Sequence, residues 1–279
     1  MPYTRGREVS RPSTDILDEV RTLVSQGYKS VTLLGQNVNS YGLDKKGEEM
    51  SFAQLLGEVG RFGDEGGHQF WTYFTSPHPR DMSREVLETI ARYRVLAKQI
   101  HLPLQSGDDH VLIRMNRNHT MDRYRTLVEQ VKSILPEATL FTDIIVGFTG
   151  ETHDQFLNTQ RAMEEFRYQM AFVAQYSPRP GAASARWDDD VSPEAKKDRL
   201  QILTEVLRET SLEYNQTLVG RTVPVLVEKA DRKAGYLSGR TEGKVSVRFP
   251  SGGAPIGSFI DVKIASAVSF SVEGTQVSL

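Results

Sequence analysis

The chain has 279 residues, a formal net charge of −2 and no cysteine. That length suits one large domain plus a small one, and the balanced charge gives no global pull toward nucleic acid. The absence of thiols excludes disulfides, thiolate zinc sites and cysteine-ligated clusters built by this chain alone.

Residues 1–12 carry no periodicity and three arginines, and read as a loop. Ser13 or Thr14 then caps a helix whose Ile16, Leu17, Val20, Leu23 and Val24 share one face, with Gly27 as its stop. Ser30 to Leu34 is a strand, followed by the amide-rich loop Gly35-Gln36-Asn37-Val38-Asn39-Ser40-Tyr41-Gly42. The pattern repeats. Ser51 and Gln54 form a capping box for a helix to Phe62. Phe70 to Phe74 is a strand ending in Thr75-Ser76-Pro77-His78-Pro79-Arg80, with a helix to about Tyr93. Gln99 to Leu102 is a strand ending in Pro103-Leu104-Gln105-Ser106-Gly107. Helices follow over Asp108–Met115 and Thr120–Leu135.

The next stretch, Thr142 to Thr152, organises the rest. Its apolar run reads as a strand buried on both faces. Gly147 and Gly150 make a tight turn, and Thr152 with Gln155 caps the next helix. Glycines at a strand end let a ligand approach the backbone, or serve the turn alone. Ala171 to Ala174 is a strand ending in Gln175-Tyr176-Ser177-Pro178-Arg179-Pro180-Gly181. Ser192 and Pro193 then open a long helix to about Tyr214.

Strand starts 30 to 40 residues apart are the rhythm of βα units. Without a G-x-G-x-x-G after a first strand, a dinucleotide-binding sheet is disfavoured. Gln36, Asn37, Ser76, His78, Gln105, Ser106, Asp143, Gln175 and Tyr176 all sit at or past carboxyl ends of strands. In a β/α barrel those ends converge on one site. The six histidines show no paired ligand spacing, so no metal site is expected from them.

From Thr217 the texture changes to short alternating strands at 222–228, 235–240, 245–249 and 259–264, punctuated by glycines. This is a small β-barrel. It carries eight Lys and Arg against five Asp and Glu, a net of +3. The expected architecture is α/β: an incomplete parallel β/α barrel over 1–216, then a small all-β barrel over 217–279. No apolar run approaches a membrane span and no signal peptide is visible, so a cytoplasmic protein without membrane contact is expected.

Several motifs together resemble the radical S-adenosylmethionine methylthiotransferases. They are Tyr3-Thr4-Arg5-Gly6-Arg7-Glu8, the Leu34 to Tyr41 loop, Thr75 to Pro79, Leu102 to Gly107, Met115-Asn116-Arg117, Asp143 to Glu151 and Tyr176 to Gly181. The Asn-rich loop is similar to the branch acting on tRNA rather than the branch acting on a ribosomal protein. The C-terminal module resembles the OB-like TRAM domain, which implies RNA contact.

The resemblance implies a radical-SAM type barrel binding S-adenosylmethionine across the strand ends. Gly35, Gln36 and Asn37 would hold the methionine end. Gln105 and Ser106 would lie near the ribose, and Asp143, Val146, Gly147, Glu151 and Tyr176 near the adenine. Ser76 and His78 would complete the pocket. Arg232, Lys233, Arg240, Lys244 and Arg248 would contact RNA. The implied substrate is the anticodon stem-loop of tRNA, with sulfur and electron donors as further partners.

Two departures stand out. Thr149 replaces the family's usual proline, which predicts a looser turn. The family's first motif follows a three-cysteine loop holding a 4Fe–4S cluster, yet here it begins at residue 3 of a cysteine-free chain. The expectation is therefore a carboxyl-terminal portion lacking the first strand and both clusters, inactive alone. The rival expectation is an RNA-binding remnant without catalysis.

Overall fold

The computed structural model describes residues 7–277, so Tyr3 to Gly6 of the first motif lie outside the described residues. Helix α1 (Ser13–Ser25) begins the regular structure. Its cap position is Pro12, not Ser13 or Thr14, and no side chain caps it. Instead the Ser13 N–H donates to the Glu49 carboxylate at 3.0 Å. A distant acid thus satisfies a helix-end donor that a local hydroxyl was expected to take.

Five strands alternate with helices: β1 (Ser30–Leu33), α2 (Phe52–Glu65), β2 (Trp71–Phe74), α3 (Arg84–Arg92) and β3 (Gln99–His101). Then come α4 (Asp109–Arg114), α5 (Met121–Ile134), β4 (Thr139–Val146), α6 (His153–Phe166) and β5 (Met170–Gln175). Helix α7 (Pro193–Gln216) closes the unit. Complete capping boxes form at Ser51/Gln54 and at Thr152/Gln155, as their spacing predicts.

The paired strands are parallel, but the ladder is broken between β2 and β3 into a two-stranded and a three-stranded sheet. A parallel bridge from Thr72 to Leu96 joins them, with Thr72 N–H to Val95 at 2.7 Å and Ala97 N–H to Thr72 at 3.0 Å. The Lys98 N–H, which with its carbonyl faces the β4 side, donates to the Glu242 carboxylate at 3.0 Å.

Helices cover one face of the sheet, where Leu56, Leu87, Ile100, Leu102, Ile144, Val146, Phe156 and Leu203 form one core. Strand β4 is fully buried only over its first four residues. Beyond them Asp143 and Ile145 are half-open while Ile144 and Val146 are buried. The expectation of burial on both faces fails there because the concave face of the barrel is open.

Strands β6 (Thr222–Ala230), β7 (Tyr236–Thr241), β8 (Ser246–Pro250), β9 (Phe259–Val268) and β10 (Ser271–Gln276) close into a barrel. Closure leaves no strand edge free. The reading of the sequence lacked β10, whose register shifts between Glu273 and Gly274. A Cβ at Gly274 would lie 2.3 Å from the Lys263 carbonyl oxygen, so this bulge needs glycine and hides the alternation.

The β-barrel lies against the amino-terminal ends of the parallel strands. Trp71, Tyr73 and Ala97 pack with Leu226 and Phe259, and the Trp71 and Phe259 rings meet edge-on at 4.6 Å. The turn between β7 and β8 supplies three further ties. The Tyr73 hydroxyl donates to the Glu242 carbonyl at 3.0 Å, and the Thr139 hydroxyl to the Gly243 carbonyl at 2.9 Å. Lys244 lies 4.3 Å over the Tyr73 ring. On the other side Asn215 of α7 donates to the Val268 carbonyl at 2.8 Å.

Truncating Trp71 opens a cavity in this junction. Trp71→Ala should lower the unfolding free energy by about 3–5 kcal/mol in urea titration. It should also raise amide exchange at residues 241–245. Unchanged exchange there would show that the junction is held by its polar ties alone.

Candidate functional site

The carboxyl ends of the five strands carry the candidate residues, and local backbone geometry aims them. Ser76 and Gln105 both have left-handed backbones, at φ 57° and 72°. Such conformations are uncommon in non-glycine residues and gather at functional sites. His78 is fixed by the Asn39 amide, which accepts from its N–H at 2.7 Å and donates to its carbonyl at 2.9 Å. The Asn-rich loop is therefore a brace for the neighbouring strand end. Gly35, Gln36 and Asn37 line a cavity of about 920 Å³ with Glu8, Tyr41 and Arg80. Asn37 donates to the Glu8 carboxylate at 2.5 Å.

The β4 turn is held from below. Glu151 is buried, accepting from the Gly147 N–H at 2.6 Å and from Arg199 at 2.7 Å. Burial raises the Glu151 carboxyl above its ordinary range, while Gly147 and Arg199 pull the other way. Gly147 and Gly150 have φ of +69° and +76°. A Cβ on Gly147 would meet Lys196 at 2.3 Å, and one on Gly150 would meet Arg114 at 2.0 Å. Positive φ thus favours glycine at both positions, and at Gly147 the Lys196 stem also leaves no room for a Cβ. Thr149, expected to loosen the turn, pins it: its hydroxyl donates to the Asp188 carbonyl. The Gly150 N–H adds a bond to Asp190 at 2.6 Å.

The candidates divide into two groups. Ser106, Val146, Gly147 and Glu151 are buried, and the Ser106 hydroxyl faces Thr159 and the Asp108 N–H. Gln105 extends the ladder, accepting from the Ile145 N–H at 2.9 Å and donating to Asp143 at 2.8 Å. These residues shape the site. Gly35, Gln36, Asn37, Ser76, His78, Asp143 and Tyr176 remain open to it. Tyr176 stands edge-on to Phe148 at 4.8 Å, with Lys196 at 5.4 Å from its ring.

The structure adds residues that were not candidates. His101 Nε2 lies 3.0 Å from the Asp143 carboxylate. Phe172, the register partner of Asp143, is 54% exposed on the same open face. His119 is buried beside His78, with ring centres 6.2 Å apart, and neither of its nitrogens has a hydrogen-bond partner. Arg117 has a buried Nε without a partner. A strand-end search cannot find the last two, because both sit in the connection between α4 and α5. The chemistry of the set fits a charged nucleoside such as S-adenosylmethionine: exposed Gln36, the Asp143 carboxylate and an Arg117 nitrogen without a partner.

The basic residues of the β-barrel are largely paired. Arg240 meets Glu228 at 3.3 Å, Arg248 meets Asp231 at 3.1 Å and Lys233 meets Glu273 at 3.5 Å. Lys244 is half-buried over Tyr73, and burial lowers its pKa. Arg232 is exposed and makes no ion pair among the described residues.

Burial pushes the His119 imidazole down to about 4. His78, Arg117 and Asp109 are the charged or titratable groups around it. An unfolded imidazole titrates near 6.5, so between these values the unfolded chain binds a proton that the folded chain refuses. Stability from this group is present above about pH 6.5 and is lost as pH falls toward 4. His119→Phe should flatten the slope of unfolding free energy against pH in that window. An unchanged slope would assign the acid sensitivity to other groups.

Comparison with known proteins shows the family. The Radical SAM superfamily model matches residues 1–163 and the TRAM domain model matches 216–277. The chain is 43% identical over 265 residues to tRNA-2-methylthio-N(6)-dimethylallyladenosine synthase of Protochlamydia amoebophila, covering 95% of this chain and 58% of that protein. The same-named protein of Pelobacter propionicus is 42% identical over 274 residues, covering 98% and 61%. The chain thus spans about three fifths of the length of these relatives. In fold it is similar to coproporphyrinogen III oxidase from Escherichia coli, at a TM-score of 0.51 and 17% identity, covering 73% of this chain and 48% of that one. This chain belongs to the Radical SAM superfamily and ends in a TRAM domain.

Proposed function

We propose that this chain is the cofactor-holding and RNA-holding part of a tRNA methylthiotransferase. The reaction would add a methylthio group to an N6-isopentenyl-adenosine beside the anticodon. The observation that carries the reading is the open, concave strand-end site, set in a chain 43% identical to a synthase of that name. S-adenosylmethionine, when bound, would supply the radical chemistry and the methyl group.

The chain's own part is to bind and orient. Gln36 and Asn37 offer amides to the amino-acid end of the cofactor. Tyr176, fixed between Phe148 and Lys196, offers a ring edge near the adenine. Gln105, by its left-handed backbone, keeps the ladder closed beneath the ribose. Sulfur and electron donors, and 4Fe–4S clusters, belong to the reaction as a whole. The residues present do not fit a cluster, because the chain has no thiolate to offer. That favours a second reading, an RNA-binding unit without catalysis of its own.

The site makes a direct prediction. Titration with S-adenosylhomocysteine should shift amides over residues 143–151 and 174–179. A flat titration at millimolar ligand would remove the cofactor reading. Anaerobic reconstitution of the chain alone with iron and sulfide should give neither cluster absorbance nor cleavage of S-adenosylmethionine.

The β-barrel makes another. An anticodon stem-loop should bind at low salt, and binding should weaken steeply as salt rises. Arg232→Ala should reduce it, since Arg232 is exposed. Lys244→Ala tests the junction as well, because Lys244 lies against Tyr73. Binding unaffected by salt would remove phosphate contact from the reading.

A further inference from the structure

Strands β3, β4 and β5 turn one set of side chains to the helices and the other set to the open concave face. On β4, Leu140, Ile144 and Val146 belong to the core, while Asp143 and Ile145 are half-open. Asp143 pairs in register with Phe172 of β5, and Phe172 is exposed. On the other side His101 ends β3. Its Nε2 lies 3.0 Å from the Asp143 carboxylate, and its ring centre lies 6.0 Å from that of Phe172. A carboxylate flanked by two rings is therefore displayed partway along the sheet.

The fold gains little from these three side chains as they stand. Phe172 leaves much of its ring in water, so its burial stabilises the fold only weakly. His101 Nε2 is shielded from water yet completes no hydrogen bond, although the carboxylate is close. Asp143 meets His101 on one side and keeps acceptor capacity for a ligand on the open face.

An exposed ring beside a carboxylate suits a flat base with an N–H on its edge. The ring is a stacking platform, and the ionised carboxylate accepts only from donors. Adenine has such a donor at N6, and an N6-substituted adenine keeps one. A grip at N6 leaves carbon 2 uncovered. Bases on which enzymes act are taken out of their stack and read in this way. Two adenines share this chemistry, the cofactor's and the RNA's, and position favours the second. Asp143 lies three residues before the last residue of β4, about 10 Å along the strand. Ile145 intervenes on the same face. Gly147 and Tyr176, which would face the cofactor, lie beyond the ends of their strands.

We propose that Asp143 and Phe172 hold the target adenine of the RNA on the concave face. Asp143 accepts from its N6–H, Phe172 stacks on its ring, and His101 is the positioning residue that sets the carboxylate. This rests on the tRNA reading given above. It moves Asp143 from the adenine of the cofactor to the adenine of the substrate.

Three ligands, titrated into the whole chain, separate the possibilities. One is the anticodon stem-loop carrying N6-isopentenyl-adenosine beside the anticodon. The second is the same stem-loop made abasic at that position, and the third is S-adenosylhomocysteine. In the unaltered chain the base should strengthen stem-loop binding about tenfold over the abasic form, the scale of one stacked base. Phe172→Ala and Asp143→Ala should each remove most of that gain. Both should leave the abasic stem-loop and S-adenosylhomocysteine bound as before, which also shows that the variants fold. His101→Ala should reduce the gain, and His101→Gln, which keeps an N–H donor, should restore it. A gain kept by either Phe172→Ala or Asp143→Ala would overturn the proposal. Equal weakening of both stem-loops would mean a structural or phosphate role and overturn it. Weakening of S-adenosylhomocysteine with the gain intact would assign the pair to the cofactor and also overturn it. If the unaltered chain binds both stem-loops equally, this proposal alone falls. If it binds neither, the tRNA reading falls first and takes this one with it.

Discussion

The buried pair between Arg199 and Glu151 is the constraint on which the site depends. It ties the turn after β4 to α7, and the same carboxylate accepts the Gly147 N–H. Removing one partner from such a pair leaves the other charged and buried, at a cost of about 3–5 kcal/mol. The cost is local in origin but not in effect. Helix α7 carries Lys196 and Arg199 beneath the turn, Leu203 and Leu207 in the main core, and Ser211 and Asn215 against the β9–β10 turn. One helix therefore sets the strand-end site and the seat of the β-barrel together.

That arrangement explains why Thr149 does not behave as a lost proline. Proline would stiffen the turn through its own ring. Threonine stiffens it through a hydroxyl bond to the Asp188 carbonyl, beside the bond from Gly150 to Asp190. The acidic run Asp188-Asp189-Asp190 has three separate tasks. Asp188 accepts from Thr149, Asp189 binds Lys196 and Asp190 accepts from Gly150. The turn is thus rigid by contact across about forty residues rather than by its own sequence.

Much of the first unit was legible because its signals are local. Caps at Ser51, Thr152 and Ser192 announce helices, and runs such as Phe70 to Phe74 announce strands. The strand-end polar residues followed from spacing alone. What stayed hidden depends on contacts distant in sequence. The cap of α1 uses Glu49, 36 residues away. The Lys98 N–H just before β3 goes to Glu242, 144 residues away. Strand β10 is masked by the bulge at Gly274. Glu151 reads as a site residue by motif, while its buried pairing with Arg199, 48 residues away, is invisible to the sequence. Arg117 lies on a connection, where periodicity says nothing about which way a side chain turns.

The two units divide the work by position. The β-barrel packs on Trp71, Lys98 and Thr139, at or just before the starts of their strands. The open candidates lie at the opposite ends. Strand β4 has eight residues, which at about 3.3 Å each separates the two by roughly 25 Å. On the reading proposed above, a nucleic acid held on the β-barrel would have to cover about that distance to reach the strand ends. Its phosphates and its reacting base would meet different units. Weakening the β-barrel's grip should then lower affinity for all sequences alike, while the choice of base stays with the strand-end site. The junction at Trp71 and Tyr73 fixes the distance between the β-barrel and the strand-end face.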